Sequence, residues 1–414
     1  MTATFHYREN VLFCEDVELS RITAETGTPC YVYSAEALRE GYLAYERALE
    51  GVPHRVCYAV KANGNLSVLR LLGGLGAGFD IVSGGELFRV LKAGGDPSTV
   101  VFAGVGKTRE EIEFALENDI FGFNCESEAE LALISSLAVR LGKTASVAVR
   151  VNPDVDAQTH PYISTGLREH KFGIDIAGVE QVYERARRLP NLSLDGVSCH
   201  IGSQLLDAAP LLESARKMVA LIERLRARGF GIRHLDLGGS IGVPYEPGET
   251  QPDLAEYLTA VRLLVEGRNL TLLFEPGRWV AARAGALLTR VLYRKRNGEK
   301  EFIVVDAAMN DLIRPALYQA WHEIVPLRKN QFGTIVADVV GPICESGDFL
   351  ARDREVVNAL PGDTLAVLNA GAYGFSQASN YNARPRACEV LVDGASWRIV
   401  RRRETLDDLI RGEE

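Results

Sequence analysis

The run Tyr58-Ala59-Val60-Lys61-Ala62-Asn63 ends a short apolar segment on a lysine, and a primary amine held at a strand end can form an imine with an aldehyde. By itself such a lysine is an ordinary solvated residue, or the cation of an ion pair with Asp80. Its company changes the reading. Asp80, Ser83, Arg150, His200, the turn Gly238-Gly239-Ser240 and Glu275 all fall at equivalent ends of other apolar runs, and Glu275 is followed by Pro276, Gly277 and Arg278. A glycine-rich turn of this kind suits close approach of backbone N–H groups to an anion. A second Gly-rich stretch, Gly104-Val105-Gly106-Lys107-Thr108, resembles a P-loop, but the first glycine of that motif would fall at Val101, inside a strand pattern.

What must position these groups is a repeat. From about residue 35 to 280, β-branched or apolar runs at 56–60, 79–82, 100–103, 121–124, 146–151, 195–200, 234–237 and 271–274 alternate with stretches at 85–92, 109–118, 126–141, 178–189, 208–227 and 252–265 whose apolar residues recur at three and four. Eight such units predict an α/β chain built as a closed (β/α)8 barrel, whose site lies at the carboxyl ends of its strands. All the groups named above would then converge on one mouth. Beyond 280 the texture changes to short strand patterns at 287–293, 301–305, 334–340, 364–368, 387–392 and 396–400, which predicts a mostly antiparallel β domain. The expected division is 35–280 for the barrel, with 1–34 and 281–414 forming the β domain. Residues 152–171, rich in proline and short of periodicity, read as a long functional loop.

Bulk composition narrows the function. A chain of 414 residues exceeds a single hydrophobic core, and its 47% apolar and 24% charged residues are those of a soluble globular protein. The formal net charge of -9 argues against nucleic acid as a partner. The seven cysteines are scattered and never spaced as CxxC, so neither a disulfide framework nor a zinc site is expected, and no histidine stands at metal-ligand spacing with His200. With no signal-peptide core near Met1 and no apolar run of membrane length, the expectation is a cytoplasmic protein with no membrane contact.

Six runs in order carry a resemblance: Tyr-Ala-Val-Lys-Ala-Asn at 58–63, Cys-His-Ile-Gly-Ser-Gln at 199–204, Glu-Pro-Gly-Arg at 275–278, Asn-Asp-Leu-Ile-Arg-Pro-Ala-Leu-Tyr at 310–318, Gly-Pro-Ile-Cys-Glu-Ser-Gly-Asp at 341–348 and Ala-Gly-Ala-Tyr-Gly at 370–374. Along essentially its whole length the chain resembles the barrel-type, fold-type III pyridoxal-phosphate decarboxylases, and among them the diaminopimelate decarboxylases. The resemblance implies pyridoxal 5'-phosphate as cofactor, attached at Lys61, with its phosphate at Gly238, Gly239, Ser240 and Gly277. Ser240 stands where the family has a third glycine. It implies that His200 stacks on the cofactor ring and that Glu275, ionised, lies beside the ring nitrogen. There a carboxylate favours the protonated ring and strengthens the electron sink; the related alanine racemases carry an arginine at that place.

The resemblance further implies that Cys344 is the general acid, that Arg278, Arg314 and Tyr318 hold a distal carboxylate, that Glu345 holds a distal ammonium, and that Tyr373 bridges substrate and phosphate. Cys344 and Glu345 would reach the site of a second subunit, making an obligate homodimer. The implied reaction is decarboxylation of meso-2,6-diaminopimelate to L-lysine and carbon dioxide, the last step of lysine biosynthesis. Two alternatives stay open: a related decarboxylase of the carboxynorspermidine or ornithine type, and a non-catalytic regulator on the same fold.

Overall fold

The computed structural model describes residues 4–155, 171–329 and 333–413. Most of the loop expected at 152–171 therefore lies outside the described residues. The chain divides into two compact units, one of Gly41–Val243 and Thr250–Trp279, the other of Met1–Glu40, Pro244–Glu249 and Val280–Glu414.

Among the described residues the first unit has eight parallel strands that form a ring, β1 His54–Ala59, β2 Gly78–Ile81, β3 Val100–Phe102, β4 Gly122–Cys125, β5 Ala145–Asn152, β6 Leu192–Ser198, β7 His234–Asp236 and β8 Thr271–Phe274, and a two-residue strand, Ile174–Asp175, paired to β5. Each of the eight pairs with the next, and β8 pairs back to β1 through Leu272 opposite His54, so the sheet closes into the expected barrel. Every expected strand is present, displaced by no more than a few residues. The helices start where polar side chains stop the strands. Asn65, Ser83, Thr108, Ser127 and Asp253 each accept a hydrogen bond from the backbone N–H two or three residues on, worth about 1 kcal/mol apiece. Thr108 and Glu111 complete a reciprocal capping box.

One interior layer departs from the branched aliphatic filling usual in such barrels. Asp80 on β2, Asn124 on β4 and Asp236 on β7 are buried mid-strand or at strand ends, between apolar neighbours such as Phe79 and Ile81. Asn124 and Asp236 share a hydrogen bond although β4 and β7 are not adjacent, so that bond crosses the barrel interior.

In the second unit Gly285–Asn297 is the central strand, pairing antiparallel with Cys30–Ser34, Lys300–Val305 and Thr364–Val367. Two pairings are parallel, Cys30–Ser34 with Cys388–Asp393 and Lys300–Val305 with Thr334–Val340. Its core is an apolar cluster that includes Leu12, Ile22, Val32, Leu288, Ala366 and Val390. Five strands of this unit escaped the sequence reading: Phe349–Val357, Phe5–Arg8, Val11–Cys14, Val17–Glu18 and Ile324–Pro326. In the first of these Arg352, Asp353, Arg354 and Glu355 occupy consecutive positions, which erases the alternation that marks a strand. Among the described residues no helix is long and apolar enough to cross a membrane, and no group of three or more His, Cys, Asp or Glu residues could hold a metal ion.

Candidate active site

Lys61 lies in a one-turn helix, Val60–Ala62, directly after β1, and its ammonium is paired with the fully buried carboxylate of Asp80 on β2. The ion-pair alternative is thus realised, and it places the amine at the strand ends. The other oxygen of Asp80, Oδ1, is buried with no hydrogen-bond partner among the described residues. An orphaned charged acceptor costs on the order of 1–3 kcal/mol or more, so it marks a place where a donor belongs.

Glu275 follows β8, and its backbone N–H reaches the Gly238 carbonyl at 2.9 Å. Its Oε1 accepts from Asn124 Nδ2 at 3.0 Å, and the same nitrogen donates to Asp236 Oδ2 at 2.8 Å. Burial, then the charges of Asp236 and Asp80, push the Glu275 carboxyl well above the ordinary carboxylate range, against the opposing pull of Lys61. The sequence reading expects an ionised acid here. In the chain by itself burial and two neighbouring carboxylates instead favour the protonated form, because Lys61 is one cation facing three carboxyl groups.

The glycine turn is built by its neighbours. A Cβ on Gly239 would stand 1.8 Å from the Glu275 carbonyl oxygen, so glycine is required there for β7 and β8 to end side by side. Gly238 has φ +66° and donates its N–H to Asp236 Oδ1 at 2.9 Å. Ser240 is not among the residues with positive φ, which is why serine is tolerated in place of a third glycine, and its hydroxyl lies 3.1 Å from His200 Nδ1. Burial, with Arg150 and Lys61 nearby, lowers the His200 pKa well below its usual value, so the ring is neutral at neutral pH. Pro276 accepts from the Ala59 N–H at 3.2 Å, and Arg278, buried, reaches Ser203 Oγ at 3.4 Å.

The remaining sequence-predicted residues belong to the second unit. Arg314 opens the helix Arg314–Tyr318 and is buried, with Nε 3.3 Å from His322 Nε2 and its guanidinium 4.9 Å from the Tyr245 ring. Tyr318 receives a 3.4 Å hydrogen bond from Gln377. The Cys344–Asp348 turn is clamped by Asp348, which accepts from the Ile343 and Met309 N–H groups at 2.7 and 2.8 Å. The Cys344 N–H donates to Asn382 at 2.8 Å, and Glu345 accepts from the Tyr381 hydroxyl at 2.8 Å. All seven cysteines are free thiols, and Cys344 alone is exposed. Tyr373 has φ +56°, a left-handed conformation uncommon for an aromatic residue and costing about 1–3 kcal/mol, of the kind that clusters at functional sites.

Asn124, Asp236, Tyr245, His322 and Tyr381 were not singled out from the sequence. The one available signal was a carboxylate flanked by Leu235 and Leu237 at a strand end.

Comparison with known proteins identifies the family. The family described as "Pyridoxal-dependent decarboxylase, pyridoxal binding domain" matches residues 36–282. A diaminopimelate decarboxylase of Pseudomonas aeruginosa is 57% identical over 99% of this chain and 98% of its own length. Among solved structures, a diaminopimelate decarboxylase from Helicobacter pylori complexed with L-lysine is 42% identical, with TM-score 0.92 and 95% of this chain and 98% of that one covered. The corresponding protein from M. jannaschii, also in complex with L-lysine, is 38% identical, with TM-score 0.93 over 99% and 98% of the two chains.

Proposed function

The chain belongs to the pyridoxal-dependent decarboxylases, in their diaminopimelate branch, and on that premise we propose that it converts meso-2,6-diaminopimelate to L-lysine and carbon dioxide with pyridoxal 5'-phosphate. The observation that carries this reading is the barrel cluster itself: three carboxyl groups, Asp80 and Asp236 fully buried and Glu275 half-buried, facing the single amine of Lys61. The cluster fits a cationic heteroaromatic ring. A ring N–H beside Glu275 would supply the positive charge that burial there lacks, and the orphaned Oδ1 of Asp80 is an acceptor in want of a donor.

When bound, the cofactor supplies an electron sink for the pair left behind as carbon dioxide departs. The rest of the work falls to side chains. Lys61 holds the cofactor through Nζ, with Asp80 fixing where that nitrogen lies. Glu275 would lie beside the ring nitrogen and share a proton with it. His200, uncharged, offers a ring face without adding a cation that would compete with Lys61. Gly239, Ser240 and Gly277 would offer backbone N–H groups to the phosphate, Gly238 shaping the turn while its own N–H is held by Asp236, and Tyr373 would bridge substrate and phosphate.

At the substrate, Arg278, Arg314 and Tyr318 take the carboxylate that is retained and Glu345 takes the distal ammonium. Gripping the retained group adds affinity without stabilising the carboxylate that must leave. Cys344 returns a proton to the carbon that lost carbon dioxide. That its thiol and Glu345 are exposed in the single chain accords with a homodimer in which each turn completes the partner's site, and the scattered reduced thiols accord with the cytoplasm.

The test is a substrate panel on the holoenzyme. Charge-assisted hydrogen bonds contribute about 1.5–3 kcal/mol each, so lysine and ornithine, lacking the distal carboxylate, should release carbon dioxide at least tenfold less efficiently than diaminopimelate. Equal turnover of all three would overturn the substrate assignment.

A further inference from the structure

Asn124 is a buried strand residue whose amide nitrogen has two carboxylate partners, Asp236 on one side and Glu275 on the other. Its two hydrogens match those two acceptors one to one. The strand beneath it is held rigidly. Lys107, its side chain wholly buried, donates 2.8 Å hydrogen bonds to the carbonyls of Asn124 and Gly104 and pairs with Glu130 at 2.6 Å. Asp236 is fixed as well, its second oxygen taken by the Gly238 N–H.

We propose that Asp236 and Asn124 are positioning residues that set how tightly Glu275 holds the proton it shares with the cofactor's ring nitrogen, Asp236 strengthening that hold and Asn124 weakening it. The inference rests on the cofactor reading above. Two carboxyl groups joined through one amide nitrogen, Asp236 fully buried and Glu275 half-buried, cannot both ionise cheaply, and they titrate as a pair. Burial raises Asp236 too, but Asp236 accepts from two donors, Asn124 and Gly238, against the one that reaches Glu275 Oε1, so the pair's proton is assigned to Glu275. The other groups facing the pair are Asp80, which adds to the repulsion, and Lys61, which relieves it. Arg150 is paired with Glu126 at 2.7 Å, His200 is uncharged, and the thiols of Cys57 and Cys199 are held neutral by burial. Donation from Asn124 favours the ionised carboxylates. The step is a bare proton transfer: Glu275 gives up one proton to the nitrogen beside it and becomes a carboxylate, with no other bond made or broken.

The two contributions have opposite sign, which a merely structural role would not produce. Asp236→Asn keeps the acceptor for Gly238 and removes the charge; Asn124→Ala removes the donor and keeps both charges. In the cofactor-free protein, the pH at which Glu275 loses its proton is read from its carboxylic-acid infrared band, assigned by difference against Glu275→Gln. In the holoenzyme, protonation of the ring is read from the nitrogen-15 chemical shift of pyridoxal phosphate labelled in the ring. Asp236→Asn should move the Glu275 midpoint down by about one pH unit, a tenfold loss of proton affinity, and move the nitrogen signal toward the protonated ring. Asn124→Ala should move the midpoint up. Shifts of the same sign, or none in either variant, would overturn the inference while leaving the cofactor reading intact. If Asp236→Asn does not fold, the direction in Asn124→Ala decides alone. A wild type that takes up no pyridoxal phosphate overturns both readings.

Discussion

Arg314 and His322 are locked to each other in one protonation state: His322 Nδ1 lies 2.8 Å from the Leu368 carbonyl, which can only accept, so Nε2 is left to accept from Arg314 Nε at 3.3 Å. The neutral tautomer follows from the partners on both sides. Tyr245 packs edge-on to His322 at 5.3 Å and lies against the Arg314 guanidinium. A side chain with five donors is thereby aimed by a fully buried ring and an aromatic face.

From this comes the first prediction. His322→Ala leaves a buried guanidinium with one acceptor fewer, at a cost of about 1.5–3 kcal/mol. If Arg314 binds the retained carboxylate, KM for diaminopimelate should rise roughly tenfold or more while kcat changes less. His322→Gln, which offers an amide oxygen at a similar reach, should recover part of the loss. Steady-state kinetics on the three proteins check it, and a fall in kcat at unchanged KM would place Arg314 elsewhere in the reaction.

The second prediction concerns pH. Glu275 has a folded pKa above the unfolded value of about 4.3, so the folded cofactor-free protein binds more protons than the unfolded chain over that interval. Its contribution to stability is fully present below about pH 4.3 and is lost as pH rises through the folded value. Glu86, pushed up to about 7 chiefly by burial, acts in the same sense and completes its loss near neutrality. Thermal melts of the cofactor-free protein should therefore fall between about pH 5 and pH 8, and Glu275→Gln should flatten part of that fall and be relatively more stable at the alkaline end. Pyridoxal phosphate should remove most of the difference, because a cation beside Glu275 restores the ionised carboxylate. A Glu275→Gln melt that parallels wild type across the range would contradict the assignment of the raised group.

The third prediction is steric. Gly239→Ala puts a methyl group into the Glu275 backbone, and the backbone cannot yield as a flexible side chain would. Overpacking of this kind costs about 1–3 kcal/mol, and here the displaced segment carries the acid at the ring nitrogen. The melt should drop by several degrees and cofactor absorbance should weaken together. Ser240→Gly, by contrast, should leave the turn in place and lose the His200 contact alone.

How far these groups could be read from the sequence depended on where they sit. That Lys61, His200 and Glu275 share one mouth was legible because a barrel sends every strand end there, while their roles came only from the resemblance carried by the six runs. Asn124 and Asp236 were not, because the bond between them joins strands that are not neighbours in the sheet, and no local pattern records a contact across the interior. Arg314 was legible within its motif, whereas His322, which aims it, lies past the end of that motif on an irregular stretch. The protonation of Glu275 in the cofactor-free chain was not legible for a related reason. The sequence shows one carboxylate after β8, but its charge state is set by Asp80 and Asp236 from distant positions.

The last prediction exploits accessibility. Six of the seven thiols are buried, and burial pushes Cys14, Cys57, Cys125 and Cys199 far above the usual thiol range, which keeps them from forming the reactive thiolate. Cys388 is the exception among the buried ones, held at about 7 mainly by Cys30, yet it is only 2% exposed. Under native conditions an alkylating agent should therefore modify one thiol per chain rapidly, and Cys344→Ala should abolish that phase. If Cys344 is the acid that returns the proton, diaminopimelate or lysine should slow the labelling of the holoenzyme, and kcat in Cys344→Ala should fall by about 10² to 10⁴. Mixing Cys344→Ala with Lys61→Ala chains under subunit exchange should then regain part of the activity, since half of the mixed sites would pair an intact lysine with an intact thiol. Exchange without any recovery would mean that each chain supplies its own Cys344.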